Sequence, residues 1–186
     1  MRRFVSIFIR PDRRLSNEIL VIQKSFARRY RAYSGLNWKG PHLTVYTMAA
    51  EHGKTMDLML DAAALIERAK PFTVHISGTG YFTKREPSNL SKRNYVIFLR
   101  VRRTPGLMAL RTAINRSFID YRVDFPRYNP HITITLRDLG KDAFYRALKE
   151  YKGLRFSRSF RVNRISLSAS AGNSGRRIVR TVSLKG

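Results

Sequence analysis

Residues 3–10 alternate in strand fashion, and after the Pro11-Asp12 turn Leu15, Ile19, Leu20, Ile22, Phe26 and Tyr30 are spaced as on one face of a helix over 15–31. Ser34-Gly35 ends that helix. The pattern then predicts a strand over 42–48, a helix over 54–69 carrying Met56, Leu58, Met59, Leu60, Ala63, Leu65 and Ile66, and a strand over 71–82. Gly78 and Gly80 predict a bulge or sharp bend in that last strand.

The same order returns in the second half. A strand is predicted over 94–101, a helix over 104–119, a strand over 130–136, a helix over 140–151 and a strand over 158–170, with a closing strand over 177–184. Tyr95-Val96 falls where Phe4-Val5 falls, and His131 where His42 falls, at nearly the same offset. This spacing predicts a tandem duplication with pseudo-repeats of about 1–82 and 94–170 inside a single domain of 1–186. Residues 83–93, rich in Lys, Arg, Ser and Asn, read as a polar hinge or surface loop between the halves. The loops 32–40 and 121–129 occupy equivalent places ahead of the two strands at 42 and 130.

Composition adds a partner to this picture. The 186 residues are enough to bury a core without staples, and zero Cys excludes a disulfide framework, a thiolate metal site and a cysteine nucleophile. A cytoplasmic location is the default expectation. The apolar run Phe4–Ile9 is cut off by Arg10, Asp12, Arg13 and Arg14, too short for a signal peptide or a membrane span, so no membrane association is expected. Lys and Arg number 37 against 12 Asp and Glu, a formal net charge of +25 spread along the chain between Phe, Tyr, Val and Ile. Such a surface attracts polyphosphate, and RNA or another oligonucleotide is the expected partner of a monomeric protein.

The chemistry lies in a tetrapeptide that occurs twice, Pro41-His42-Leu43-Thr44 and Pro130-His131-Ile132-Thr133. Strand side chains alternate, so each motif sets an imidazole and a hydroxyl on one face while the residue between them enters the core. Two imidazoles flanking one phosphate can divide acid and base duties, since a ring pKa near 6.5 lets one be neutral and the other charged. Thr44 and Thr133 would donate hydrogen bonds to phosphate oxygens. Which histidine is the base is left open by the pattern. Strict alternation places Tyr46 and Thr135 on the same side as candidate cleft-lining residues, and the preceding loops add Trp38, Lys39, Arg127 and Tyr128. Trp38, Phe125 and Tyr128 can stack on a base or pack on the domain's own rim.

With its paired His-x-Thr motifs, the chain resembles the 2H phosphoesterase superfamily. Pro71-Phe72-Thr73-Val74 with Gly78-Thr79-Gly80-Tyr81-Phe82 is similar to the strand after the first motif in the RNA 2',3'-cyclic phosphodiesterase branch, also called the 2'-5' RNA ligase family. The resemblance implies a bilobal, internally duplicated α+β fold with two antiparallel-rich sheets lining a central cleft and helices outside. It implies metal-independent hydrolysis of 2',3'-cyclic phosphate to 2'-phosphate, with no cofactor, by His42 and His131, assisted by Thr44 and Thr133. Relatives often carry an arginine directly before the Pro-His pair, whereas here Tyr128-Asn129 stand there and Arg127 lies further ahead.

Other readings remain beside this one. The histidines can be structural, in an inactive RNA-binding module that keeps the fold; or the enzyme can degrade cyclic oligonucleotide or 2'-5' oligoadenylate signals of phage or bacterial origin. His52 and His75 lack the motif and read as surface histidines, and no metal-ligand spacing joins the four.

Overall fold

The computed structural model describes residues 3–36, 39–86, 89–123, 128–136, 138–171 and 176–186. The elements run β1 (Arg3–Ile9), α1 (Arg13–Tyr30), β2 (Leu43–Ala50), α2 (Thr55–Glu67), β3 (Phe72–Glu86), β4 (Asn89–Val101), α3 (Pro105–Ser117), β5 (His131–Thr135), α4 (Lys141–Tyr151), β6 (Ser157–Val162), β7 (Arg164–Ala171) and β8 (Arg176–Ser183). Local chemistry sets several of the boundaries. The Asp12 carboxylate accepts the Leu15 N–H at 2.9 Å and so caps α1, which ends where Arg31 turns left-handed at φ 52°. Pro105 opens α3, where its missing N–H costs nothing.

All eight strands form one antiparallel sheet in the order β6-β3-β4-β5-β2-β1-β7-β8. The α+β class holds, but two separate sheets were expected, and here β2 and β5 join the two sides through the pair Leu43–Ile132. The strand expected over 158–170 also breaks, at Asn163, into β6 and β7. These two lie six places apart in the sheet, about 29 Å if it were flat at roughly 4.8 Å per strand. The two Cα steps across Asn163 span at most about 7 Å, so the sheet must curl until its two ends approach each other.

The polar connection is a second correction. Residues 83–86 and 89–93 are strand, the arms of a β3–β4 hairpin in which Thr83 opposes Tyr95 and Arg85 opposes Arg93. The arms satisfy each other's backbone groups, which needs no apolar side chains and leaves no hydropathy signal. The bend expected in β3 is present: Gly78 has φ 71°, and the ladder shifts register between Ile76 and Thr79.

The core occupies the helix-bearing face. α1 packs on β5, α4 on β4, α2 on β1, β7 and β8, and α3 on β2 and β3. Val5, Ile7, Ile9, Leu43, Val45, Ile97, Leu99, Ile132 and Ile134 belong to one buried cluster with the helices, whereas their neighbours Phe8, Thr44, Phe98 and Thr133 do not. Those neighbours define the other face, where the functional candidates stand. Among the described residues, no helix is long and apolar enough to cross a membrane.

Candidate active site

The Leu43–Ile132 pair brings the two Pro-His motifs to the middle of the sheet. Continued by one residue in each direction, its antiparallel register sets His42 opposite Thr133 and Thr44 opposite His131. Each imidazole therefore lies across from the other motif's hydroxyl, on the face turned away from the helices.

Both rings are aimed in the same way. His42 Nδ1 lies 2.8 Å from the Gly40 carbonyl oxygen, and His131 Nδ1 lies 2.8 Å from the Asn129 carbonyl oxygen. A carbonyl can only accept, so each Nδ1 carries the proton and each Nε2 is the ring atom at which a second proton can be gained or lost. Gly40 permits the first arrangement by taking φ 62°.

An aromatic floor supports the rings. Phe8, opposite Thr44 in the ladder, meets His42 edge-on at 5.5 Å between ring centres. Phe98, opposite Thr133, lies 5.0 Å from His131, and Phe82 meets His131 edge-on at 4.9 Å. Gly80 makes room for this packing: a Cβ there would stand 2.6 Å from the Phe98 ring. Cations gather on the His42 side, with Lys39 Nζ 4.9 Å and Arg10 Cζ 5.3 Å from the centre of the Phe8 ring. Arg100 opposes His131 in the β4–β5 ladder.

Burial, and then the Lys39, Arg10 and His131 charges, push the His42 pKa from 6.5 down to about 4, against the opposing pull of its Gly40 hydrogen bond. His42 is thus neutral at pH 7, with a lone pair on Nε2.

Tyr46 and Thr135 are not in the cleft. Phe8 opposes Thr44 and Ile7 opposes Tyr46, so Val45 is an extra residue in β2; Phe98 opposes Thr133 and Ile97 opposes Thr135, so Ile134 is an extra residue in β5. A bulge reverses the alternation beyond it. Tyr46 and Thr135 consequently turn to the core side, each with 0% exposure. The Tyr46 hydroxyl donates to the Phe118 carbonyl at 3.2 Å.

Each bulge is held by a polar side chain from a helix, which sequence reading missed. Arg111 of α3 donates to the Val45 carbonyl at 2.6 Å, its guanidinium 4.3 Å from the Tyr46 ring centre and 4.8 Å from that of Tyr128. Gln23 of α1 donates to the Thr133 carbonyl at 2.7 Å. The signal was a polar residue within the buried stripe of each helix. Tyr128 supports the first motif from its loop, its hydroxyl donating to the Thr44 carbonyl at 3.1 Å. Lys39 stands at the site as described, whereas Trp38, Phe125 and Arg127 lie outside the described residues. His75 is paired with Ser159 at 2.7 Å, on strands away from the motifs. Among the described residues, no group of three or more His, Cys, Asp or Glu is placed to hold a metal ion.

The family model described as the 2'-5' RNA ligase superfamily matches residues 11–173. No curated protein matches the chain at a significant level. The fold is similar to that of apo LigT from E. coli, with a TM-score of 0.66 at 19% identity over 100% of this chain and 99% of that one. It is also similar to TT0787 of Thermus thermophilus, with a TM-score of 0.65 at 18% identity over 100% and 99%. The structure of E. coli LigT complexed with 3'-AMP gives a TM-score of 0.63 at 18% identity over 100% of both chains.

Proposed function

The chain belongs to the 2'-5' RNA ligase superfamily of 2H phosphoesterases, and on that premise we propose that it is a phosphodiesterase opening the 2',3'-cyclic phosphate ends of RNA to 2'-phosphates. The observation that carries this reading is the matched pair of Nδ1–carbonyl bonds, which leave two Nε2 atoms on one face of abutting strands.

His42, neutral at pH 7, is the general base: its Nε2 takes a proton from water as the water oxygen attacks phosphorus. The P–O3' bond breaks, and protonated His131 gives its Nε2 proton to O3', leaving the phosphate on O2'. Lys39 and Arg10 beside His42 favour the negative charge that builds on the phosphate oxygens, and the Thr44 and Thr133 hydroxyls donate to those oxygens. Acid, base and charge stabilisation thus all come from side chains, and the proposed step uses no metal or cofactor. The +25 net charge favours an RNA end over a mononucleotide, and the 3'-AMP bound in E. coli LigT is a nucleotide of compatible chemistry.

Purified protein incubated with EDTA and a short RNA ending in 2',3'-cyclic phosphate should yield a 2'-phosphate end, identified by mass and phosphatase sensitivity. Cleavage confined to cyclic dinucleotide or 2'-5' oligoadenylate controls would move the reading to signal degradation. Absence of turnover on all three would support an RNA-binding module.

A further inference from the structure

Where the curled sheet brings β1, β6, β7 and β8 together, a cavity of about 400 Å³ opens beside the cleft. Four arginines line it: Arg10 after β1, Arg13 at the start of α1, Arg161 on β6 and Arg164 on β7, all exposed. Among the described lining residues the carboxylate is Asp12, which is engaged in capping α1 through the Leu15 N–H. Glu18, one turn further along α1, is held by Arg14 at 3.6 Å and Arg158 at 2.8 Å, so it does not neutralise the cluster.

The wall between β7 and β8 is polar as well. Ser166 and Thr181 face each other across the ladder with their hydroxyl oxygens 3.3 Å apart. One hydroxyl donates to the other, and the accepting one keeps its own hydrogen for a ligand. A concave site with four guanidiniums and a free hydroxyl donor suits a phosphate group.

Arg10 ties this cavity to the cleft, since its guanidinium lies 5.3 Å from the Phe8 ring centre and that ring lies 5.5 Å from His42. Resting on the phosphodiesterase reading, we propose that the cavity is a subsite for a backbone phosphate of the RNA strand that leads to the cyclic end. A 2',3'-cyclic phosphate ends the strand, so every other phosphate lies on one side of it, and the cavity supplies cations on one side of His42. The subsite makes the protein selective for oligonucleotides over mononucleotides.

The test uses Arg161→Ala/Arg164→Ala, two residues outside the catalytic set, beside a charge-matched control, Arg116→Ala/Arg146→Ala, at exposed helix positions outside the cavity. Turnover is measured on a mononucleoside 2',3'-cyclic phosphate and on a short RNA with the same end. The cavity variant should raise KM for the RNA about tenfold and leave the mononucleotide unchanged, with the control close to the parent. Binding of a fluorescent single-stranded RNA with a 3'-phosphate is read in parallel against salt. Loss of that one phosphate contact should flatten the slope of log K against log salt by about 0.7 in the cavity variant alone. Equal RNA affinity and salt slope in cavity variant and parent, or equal losses in the control, overturn the subsite. The binding arm does not depend on turnover, so an inactive parent counts against the phosphodiesterase reading while the binding comparison still decides the subsite.

Discussion

Acidification should separate His42 from the rest of the protein. Its pKa lies at about 4 in the fold against 6.5 for an unconstrained imidazole, because burial and the Lys39, Arg10 and His131 charges disfavour the imidazolium. A folded-state pKa below the unfolded value means that between pH 6.5 and pH 4 the unfolded chain binds more protons. Stability therefore falls as pH is lowered through that window, and the effect of His42 is complete below pH 4 and absent above 6.5. Each pKa unit is worth about 1.4 kcal/mol, so the full shift corresponds to about 3 kcal/mol, and screening at the open side of the cleft lowers the expectation to about 2 to 3 kcal/mol.

Urea unfolding of the parent and of His42→Asn, run from pH 7.5 to pH 4, isolates this contribution. Asparagine can still donate to the Gly40 carbonyl but does not titrate, and carboxylate protonation is common to both proteins. The parent should lose about 2 to 3 kcal/mol more than the variant across the window, and the His42 ring resonance should titrate near pH 4. For the active enzyme, the acid limb of kcat/KM, which reports the free enzyme's base, should lie well below 6.5. Parallel stability curves together with a His42 midpoint at 6.5 or above would refute the view that burial and local cations keep His42 neutral.

Thr44→Val and Thr133→Val keep the β-branched shape and remove the hydroxyl; each should lower kcat about 10²-fold to 10³-fold with unfolding midpoints close to the parent's, and unchanged kcat would remove the threonines from the phosphate site. Gly80→Ala drives a Cβ to 2.6 Å from the Phe98 ring, so it should cost about 1 to 3 kcal/mol in urea melts and, by displacing the ring beneath His131, reduce kcat. Arg111→Leu strips the Val45 carbonyl of its donor and the Tyr46 and Tyr128 rings of their guanidinium, which should destabilise by about 1 to 3 kcal/mol and lower kcat through the displaced bulge. A variant as stable as the parent would show that the carbonyl finds another donor.

Much of the element order was legible because the core-facing periodicity is strong, as in α1, where Leu15, Ile19 and Phe26 are all buried as the helical spacing requires. The elements misread were those whose reason lies in another strand. The arms of the β3–β4 hairpin are polar and exist by pairing with each other, and the break at Asn163 follows from β6 and β7 joining opposite ends of the sheet. Neither leaves a local signal, since hydropathy reports which face is buried and not which strand is the neighbour.

The site shows the same division at the scale of single residues. The shared face of His42, Thr44, His131 and Thr133 was legible because the two-residue period holds up to each threonine, and Tyr46 and Thr135 were misplaced because it fails at the next step. The failure falls at the same point in both strands, where the bulges at Val45 and Ile134 re-aim the chain into the core. A bulge disrupts the ladder and leaves backbone groups to be satisfied from elsewhere, and a buried carbonyl without a donor costs about 1 to 3 kcal/mol. Gln23 and Arg111 meet that need from two different helices, with the same kind of bond beside each motif. A polar side chain in the buried stripe of a helix is thus the sequence trace of a carbonyl freed elsewhere. In this chain it marks the two places where regular strand ends, just beyond the two Pro-His motifs.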